Sequence, residues 1–434
     1  MALPAVAEYT TRPEKWWDKL VKMTKMVKKL AQDDPRRVIY ACKVGLALVL
    51  ISILQHFRPS FYGFGSNIIW AAITISFIFE FSVGPTLAKG ISEILATGLA
   101  GGLGVATRSI AILSGEKGKA VFSSFFVFVI GGIVTYVRLS PWLKARYDYG
   151  LTIFILNFCL ICLLDYTKSE MLEIAVERFL TIIVGSCVAI VVSICICPVW
   201  VGHDLHNQIA SDMEKLADFF EGFGDEYFNN SEISEAMGDK PLLHRYKSVL
   251  SSKSSDETMV FLARWEPCHG RFRFRHPWKQ YTKIGNLTRL CAYKIEAISV
   301  YLASSKHIPS ELGSKIKESC TSISLECGKA LKESSLKMRE MRKSSMQNRH
   351  VTNAKNGVES LKSALRANPW EGAYDQVEII SATAVASLLI KTVFCIEKIC
   401  QAVDQLESLA KVQSISDGDG SLHVHTINEG PPKI

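Results

Sequence analysis

Six long apolar segments follow one another in the first half of the chain, separated by short polar breaks. They cover residues 38–57, 66–83, 89–113, 119–139, 147–164 and 178–200. About 20 helical residues cross the hydrocarbon core of a bilayer, and each segment approaches or passes that length. A helix satisfies its own backbone hydrogen bonds in lipid. The pattern therefore predicts an all-α transmembrane domain of six helices over residues 38–200, in preference to the buried helices of a water-soluble protein.

The second half of the chain has a different pattern, in which apolar residues recur at steps of three, four or seven between charged ones. One stripe comprises Leu205, Ile209, Leu216, Phe219, Phe220 and Phe223, and another comprises Leu312, Ile316, Cys320, Ile323, Cys327, Leu331 and Met338. Such stripes indicate helices packed on helices. The apolar stretch 379–394 is short, which favours a core helix over a seventh span. We expect a cytosolic helical bundle over residues 201–411 and a disordered tail over 412–434.

The net charge of +8 is concentrated outside the apolar segments. Residues 1–37 form a basic N-terminal segment with nine lysines and arginines against five acidic residues. The connection after the fourth apolar segment is also basic, whereas the connection after the fifth is acidic. By the positive-inside rule, the N-terminal segment lies in the cytosol, and an even number of spans returns the second half of the chain to the same side.

The N-terminal segment itself has an amphipathic pattern. Its apolar residues recur at helical spacing with lysines between them, and they are Trp16, Trp17, Leu20, Met23, Met26, Val27 and Leu30. Two interpretations stay open. The helix packs on the cytosolic domain, or it lies in the interface of the anionic cytosolic leaflet.

No motif supports catalysis, so we expect neither an enzyme nor a bound cofactor. The sequence Gly101-Gly-Leu-Gly104 lies inside an apolar segment and lacks the lysine of a phosphate-binding loop. His423 and His425 supply too few ligands for a metal site. Six of the twelve cysteines lie within or beside apolar segments, where small packing residues are expected.

Positive charge at membrane depth is the most informative chemical feature. Lys43 lies more than a turn inside the first apolar segment, Lys89 opens the third, Arg138 closes the fourth and Arg178 opens the sixth. Ionisable residues in a bilayer are costly and mark ion pathways, although a long basic side chain near an interface can also extend to water. Rings of basic residues select anions in pores. These four residues are therefore candidate pore residues for a small multivalent anion such as a dicarboxylate.

Two further residues of the second segment are candidates for a gate. Trp70, with neighbouring phenylalanines, could form a hydrophobic constriction, or it could simply pack or face lipid. Glu80 lies between Phe79 and Phe81 and is predicted to pair with one of the basic residues.

A second concentration of charge lies in the loop 265–278 of the cytosolic half. Arg271, Arg273 and Arg275 alternate with phenylalanines shortly after Glu266. Arginines bind phosphate or carboxylate groups through paired hydrogen bonds. They could equally tie the loop to acidic residues of the bundle such as Asp225 and Glu226.

The chain resembles the plant aluminium-activated malate transporters. The motifs that carry the resemblance are Asp34-Pro-Arg-Arg37, Lys43-Val-Gly-Leu-Ala-Leu-Val-Leu50, Phe79-Glu-Phe-Ser-Val-Gly84, Tyr147-Asp-Tyr-Gly150, Pro198-Val-Trp200, Gly224-Asp-Glu-Tyr-Phe228, Trp265-Glu-Pro267, Phe272-Arg-Phe-Arg-His-Pro-Trp-Lys-Gln-Tyr281 and His423-Val-His425. The resemblance is dense over residues 33–304.

The resemblance implies an anion channel of two identical subunits, each with six membrane helices and a cytosolic helical domain. Malate is the usual permeant anion of the family. By motif position, Arg178 is similar to a pore arginine, Lys43 and Lys89 are similar to intramembrane lysines, and Glu266 falls in a Trp-Glu-Pro motif that the resemblance links to channel activity.

One departure from the family pattern concerns aluminium. The responsive members carry acidic residues in two extracellular connections, whereas the first of these connections contains none in this chain. Glu170 and Glu173 remain as weak candidate ligands in the second. The pattern therefore does not favour activation by aluminium.

The leading hypothesis is a malate-permeable anion channel in a plant membrane, expected to be the plasma membrane, with the tonoplast as the alternative. A proton-coupled exporter of carboxylates is the alternative within transport. A membrane-anchored interaction protein is a third hypothesis, although six spans with internal charges exceed what an anchor needs.

Overall fold

A computed structural model describes residues 16–56, 69–163, 168–229, 245–270, 272, 276–304, 310–341, 349–366 and 376–419. The chain divides into two compact units, Met1–Val199 and Trp200–Ile434. The ordered elements within these ranges are helices, and the pairing of His269 with Phe272 is an isolated bridge outside any strand. The all-α class predicted from the sequence is confirmed.

The described residues of the first unit form seven helices. They are α1 (Trp16–Asp33), α2 (Pro35–His56), α3 (Ile69–Ile78), α4 (Val83–Leu113), α5 (Gly115–Arg138), α6 (Pro141–Leu163) and α7 (Lys168–Cys195). Five of them, α2, α4, α5, α6 and α7, are long and apolar enough to cross a membrane. The second predicted span appears as α3, which has ten residues and follows a stretch, residues 57–68, that lies outside the described part of the chain. Five of the six predicted spans are thus supported.

The predicted starts at Lys89 and Arg178 are wrong, and α6 likewise begins six residues before the predicted residue 147. Helix α4 begins at Val83, so Lys89 lies within the helix and does not open it, and α7 begins at Lys168, ten residues before Arg178. Hydropathy falls at each of these charged residues, so the sequence pattern predicts a boundary there. A charged side chain with partners on neighbouring helices does not interrupt the backbone hydrogen bonds of its own helix, so the helix continues through it.

Side-chain and backbone contacts show which helix ends lie together. The hydroxyl of Tyr40, near the start of α2, donates to the carbonyl of Phe79, just after α3, over 3.2 Å. The amide of Val83, at the start of α4, donates to the carbonyl of Val199, just after α7, over 2.9 Å. The starts of α2 and α4 therefore lie beside the ends of α3 and α7, and we call this the α2-start end of the unit.

Close packing fixes the position of α3 against α7. A Cβ atom on Gly185 of α7 would come within 2.8 Å of the carbonyl oxygen of Ala71. Only glycine allows this approach of two helix backbones, as is usual for small residues between membrane helices. By contrast, only 6% of the residues in the apolar stretch of α5 are buried.

The second unit contains α8 (Val201–Asn229), α9 (Lys247–Leu250), α10 (Lys253–Ala263), α11 (Trp278–Ser304), α12 (Ser310–Glu340), α13 (Arg349–Arg366) and α14 (Gln376–Asp419). The most extensive contacts are those of α12 with α8 and α13, and of α11 with α14. Helix α14 extends past the predicted boundary at residue 412, and residues 420–434 lie outside the described part of the chain.

The predicted core stripes of this unit are confirmed. The whole α8 stripe is buried, as are the members of the α12 stripe from Cys320 onward, while the side chains of Leu312 and Ile316 are not described. The stretch 379–394 contributes Val385, Leu389 and Val393 to the same core, so it is a core helix and not a span. Burial of these apolar stripes is the main stabilising contribution in such a bundle.

Candidate functional site

Helix α4 carries a stripe of polar residues through an apolar helix. Lys89, Glu93 and Thr97 are spaced four residues apart, so they lie on one face. Their partners come from α3, from the connection between α3 and α4, and from α6 and α7. We call the resulting set the polar column, which comprises Trp70, Thr74, Glu80, Lys89, Glu93, Thr97, Tyr149, Asn157 and Arg178.

The level of the column nearest the α2-start end holds Lys89. Its ammonium group forms an ion pair with the carboxylate of Glu80 and lies over the ring of Tyr149, 5.3 Å from the ring centre. The pairing of Glu80 with one of the basic residues, predicted from the sequence, is confirmed. Both side chains are about one third exposed, so this ion pair is less deeply buried than the rest of the column.

The next level is built around the carboxylate of Glu93, which is 4% exposed. It accepts a hydrogen bond of 2.9 Å from the hydroxyl of Thr74 and one of 2.5 Å from the hydroxyl of Tyr149. A buried carboxylate is costly unless it is paired and hydrogen-bonded. These two donors, together with the charge of Arg178, make Glu93 tolerable at this depth.

The third level holds Arg178, which is 8% exposed. Its Nε atom donates to the side-chain oxygen of Asn157 over 2.8 Å, and the amide of Asn157 donates to the hydroxyl of Thr97 over 2.9 Å. The guanidinium carbon lies 3.6 Å from the centre of the Trp70 ring, which is cation–π geometry. Arg178 is about 26 Å from the end of α7 at Cys195, so it lies far from the α2-start end.

The structure does not bring all four predicted pore residues into one site. Lys43 of α2 is 3% exposed and lies near Cys197, about 12 Å from the start of α2. Arg138, at the end of α5, forms an ion pair with both carboxylate oxygens of Asp148, and both partners are more than one third exposed. In the described part of the chain, no hydrogen bond or ion pair connects either residue to Arg178.

The two candidate cation ligands of the sequence are not members of the polar column. Glu170 and Glu173 lie near the start of α7 with exposed side chains. Their role as ligands for a trivalent cation stays a prediction.

Glu266 of the second unit caps the start of α8. Its side chain is 1% exposed, and its carboxylate accepts hydrogen bonds from the amides of Val201 and Gly202, over 2.6 and 3.0 Å. These are two of the unpaired amides at the start of α8. A carboxylate at this position also complements the positive end of the helix dipole. Arg271, Arg273 and Arg275 lie outside the described residues, as do the side chains of Asp225 and Glu226.

Aromatic and histidine side chains surround this carboxylate. Trp200 stacks on His269 with ring centres 3.7 Å apart. The hydroxyl of Tyr281 contacts Nδ1 of His206 over 3.0 Å and Nε2 of His276 over 3.1 Å. Burial lowers the pKa of His276 to about 4, and the two neighbouring histidines act in the same direction. His276 is therefore neutral at physiological pH.

The column was only partly predictable. Glu93, Thr97, Tyr149 and Asn157 were not among the predicted site residues. Two signals could have found them, namely the four-residue spacing along α4 and the eight-residue spacing of the two polar residues on α6, since both spacings return to the same helix face.

The helices and the column together define a multi-pass α-helical membrane protein with buried charges between its spans. Comparison with known proteins gives the family. Residues 28–372 match the model described as "Aluminium activated malate transporter". The chain belongs to this family.

Several curated relatives carry the same description. The chain is 41% identical to Aluminum-activated malate transporter 2 of Arabidopsis thaliana over 400 residues, which are 92% of the chain and 80% of the relative. It is 36% identical to Aluminum-activated malate transporter 1 of Triticum aestivum, over 92% of the chain and 88% of the relative. These relatives are named as transporters, in agreement with the expectation that the chain is not an enzyme.

Proposed function

We propose that the protein is a malate-permeable anion channel whose conduction path follows the polar column, with Arg178 as the main contact for the anion. The names of the relatives support malate as the transported anion. The observation that carries the proposal is the buried guanidinium of Arg178, held in place on two sides by side chains that carry no negative charge.

The contacts of Arg178 leave part of its binding capacity available. Asn157 accepts from Nε, and Trp70 covers one face of the guanidinium plane. Among the described residues, none accepts a hydrogen bond from its two terminal amino groups. Those groups form a planar fork that matches a carboxylate. Because malate carries two carboxylates, one can bind this fork while the other faces the next position along the path.

Lys43 and Lys89 supply positive charge closer to the α2-start end. Lys43 is buried, and no hydrogen bond or ion pair joins its ammonium group to another described residue. Lys89 is already paired with Glu80. We therefore assign Lys43 a direct contact with the anion and Lys89 a weaker one. Arg138 stays a candidate only at the mouth of the path, because Asp148 neutralises it.

Glu93 limits how tightly the column holds an anion. Its charge acts on Arg178 and opposes the approach of another carboxylate. Conduction requires sites that bind an ion well enough to admit it and weakly enough to release it. A buried acid beside a basic site meets the second requirement.

Trp70 is the proposed gate. Its ring covers the guanidinium of Arg178 in the structure. Movement of the ring away from the guanidinium would change the width and the polarity of the path at this level. Glu80 acts at the other end through its pairing with Lys89.

The remaining features of the proposal concern assembly and placement. The sparse burial of α5 leaves Phe125, Phe128 and Tyr136 exposed, which fits contact with lipid or with a second subunit of a homodimer. We place both chain ends in the cytosol, from the distribution of lysine and arginine, and favour the plasma membrane over the tonoplast. Glu266, with the neighbouring arginines, is the proposed regulatory motif, because it fixes the start of α8.

One observation favours the second candidate, a proton-coupled carboxylate exporter. Glu93 is a buried carboxyl group within the column, and intramembrane acids form proton relays in transporters. In that case Arg178 is a binding site for the anion and Glu93 carries the proton.

Purified protein in a planar bilayer under a malate gradient tests the two candidates. A channel gives a current whose reversal potential follows malate, and Arg178→Ala and Lys43→Ala shift that potential away from the malate value. Lys253→Ala, which alters an exposed lysine of α10, is the control and leaves it unchanged. Absence of current together with malate uptake driven by a pH gradient would identify the exporter and contradict the channel.

A further inference from the structure

Helix α1 has one apolar face and one basic face. At 100° per residue, Trp16, Leu20, Met23 and Val27 fall within about 60° of one another. Lys22, Lys25, Lys28 and Lys29 occupy the opposite side. Five lysines and two aspartates give the helix a charge of +3 over 18 residues. The pattern is that of an interfacial helix, with a large amphipathic moment and lysines on the polar face.

The apolar face of α1 is exposed in the structure. Trp16 is 65% exposed, Met23 is 58% exposed and Val27 is 60% exposed. Transfer of such surface out of water is favourable at about 25 cal/mol per Å². A contiguous apolar face on one helix therefore indicates a binding surface.

The position of α1 in the chain identifies what covers this face. Asp34 is the single non-helical residue between α1 and α2, and α2 is one of the candidate membrane spans. At 1.5 Å per residue α1 is about 27 Å long. Every residue of the helix thus lies within that distance of the point where the chain enters the bilayer.

The charge of α1 identifies the composition of the covering surface. Anionic headgroups attract each nearby lysine or arginine by about 1 kcal/mol. The lysines lie on the side opposite the apolar face, so they meet headgroup phosphates and carboxylates when the apolar face reaches the acyl boundary.

We propose that α1 binds in the plane of an anionic lipid leaflet, with Trp16, Met23 and Val27 in the acyl boundary and the lysines on the headgroups. The ligand is the lipid surface, and the inference does not depend on the proposed transport of malate.

Photo-crosslinking in the full-length protein tests the orientation. A benzophenone amino acid replaces Val27 on the apolar face or, as the matched control, Lys25 on the polar face, in nanodiscs of phosphatidylcholine with phosphatidylserine. The expected result is a lipid adduct at position 27 and little or none at position 25. A crosslinked dimer would show that a second copy covers the face, and an adduct within the same chain would show that another segment covers it. Either outcome would overturn the proposal, as would equal lipid yields at the two positions.

Hydrogen exchange tests the requirement for anionic lipid. Exchange of the α1 amides should slow by at least about fivefold when phosphatidylserine is added to phosphatidylcholine. This factor corresponds to the attraction of one lysine, about 1 kcal/mol, to the anionic headgroups. The variant Lys22→Gln, Lys25→Gln, Lys28→Gln, Lys29→Gln should lose this dependence while amides of α4 and α7 exchange as in the parent. Equal exchange in both lipids for the parent protein would contradict the role of charge.

Discussion

The replacement Glu266→Gln tests whether the Trp-Glu-Pro motif acts as a clamp on the start of α8. The parent carboxylate accepts from two amides, those of Val201 and Gly202. Glutamine has the same length but offers one oxygen acceptor. Its amino group would face the second backbone N–H, donor against donor, and the negative charge at the helix start would be lost.

The size of the effect follows from these two losses. A hydrogen bond to a charged group contributes about 1.5–3 kcal/mol. A charge near a helix terminus adds up to about 2 kcal/mol when it is partly buried. Because the two contributions overlap and the side chain is 1% exposed, we expect a local cost of about 2–3 kcal/mol. This corresponds to opening of the first turn of α8 about 30 to 150 times more often.

Hydrogen exchange of the full-length protein in nanodiscs measures that opening directly. Exchange at Val201 and Gly202 should accelerate by the stated factor in Glu266→Gln, while the centre of α8 changes little. Glu257→Gln, an exposed residue of α10, is the control and should leave both amides unchanged. Unchanged exchange at Val201 and Gly202 in Glu266→Gln would refute the clamp.

Three further predictions concern packing, a buried ion pair and pH. Gly185→Ala brings a methyl group within 2.8 Å of the α3 backbone and should destabilise the protein by about 1–3 kcal/mol in thermal unfolding, whereas Gly102→Ala, with nothing within 4 Å, should be neutral or stabilising. Asp256→Ala strips the partner from Arg289, which is 5% exposed, and should cost about 3–5 kcal/mol in denaturant unfolding; an apolar replacement of both residues should recover most of the loss. The pKa of His276 is lowered to about 4, below the unfolded value of about 6.5, so stability should fall by about 2 kcal/mol from pH 7.5 to pH 5. Unfolding measured across that range should show this loss in the parent and much less of it in His276→Gln.

The periodicity of the sequence was sufficient for the kinds of helix and for the core of the second unit. The stripe that begins at Leu205 is buried as predicted, because a helix that repeats its apolar residues every three or four positions has a single face to bury. The prediction that residues 379–394 form a core helix is confirmed as well, since the length of the stretch and its polar interruptions are local properties. The expectation that Glu80 pairs with a basic residue is also confirmed.

Helix boundaries in the first unit were less predictable. Hydropathy drops at Lys89 and Arg178, yet α4 and α7 run through both residues. The reason is tertiary, because Glu80 and Asn157 on other elements supply the partners that make those charges tolerable within a helix.

The membership of the polar column and the contact of Glu266 with the start of α8 could be seen only in the tertiary structure. The side-chain amide of Asn157 donates to the hydroxyl of Thr97, which is 60 residues away in the sequence. The carboxylate of Glu266 accepts from the amide of Gly202, which is 64 residues away. The sequence by itself determined the two halves, their helical periodicity and the residue types able to hold an anion. Only the fold decided which of those residues share a level between the helices, because the partner of a buried charge is set by how helices pack and not by any local pattern.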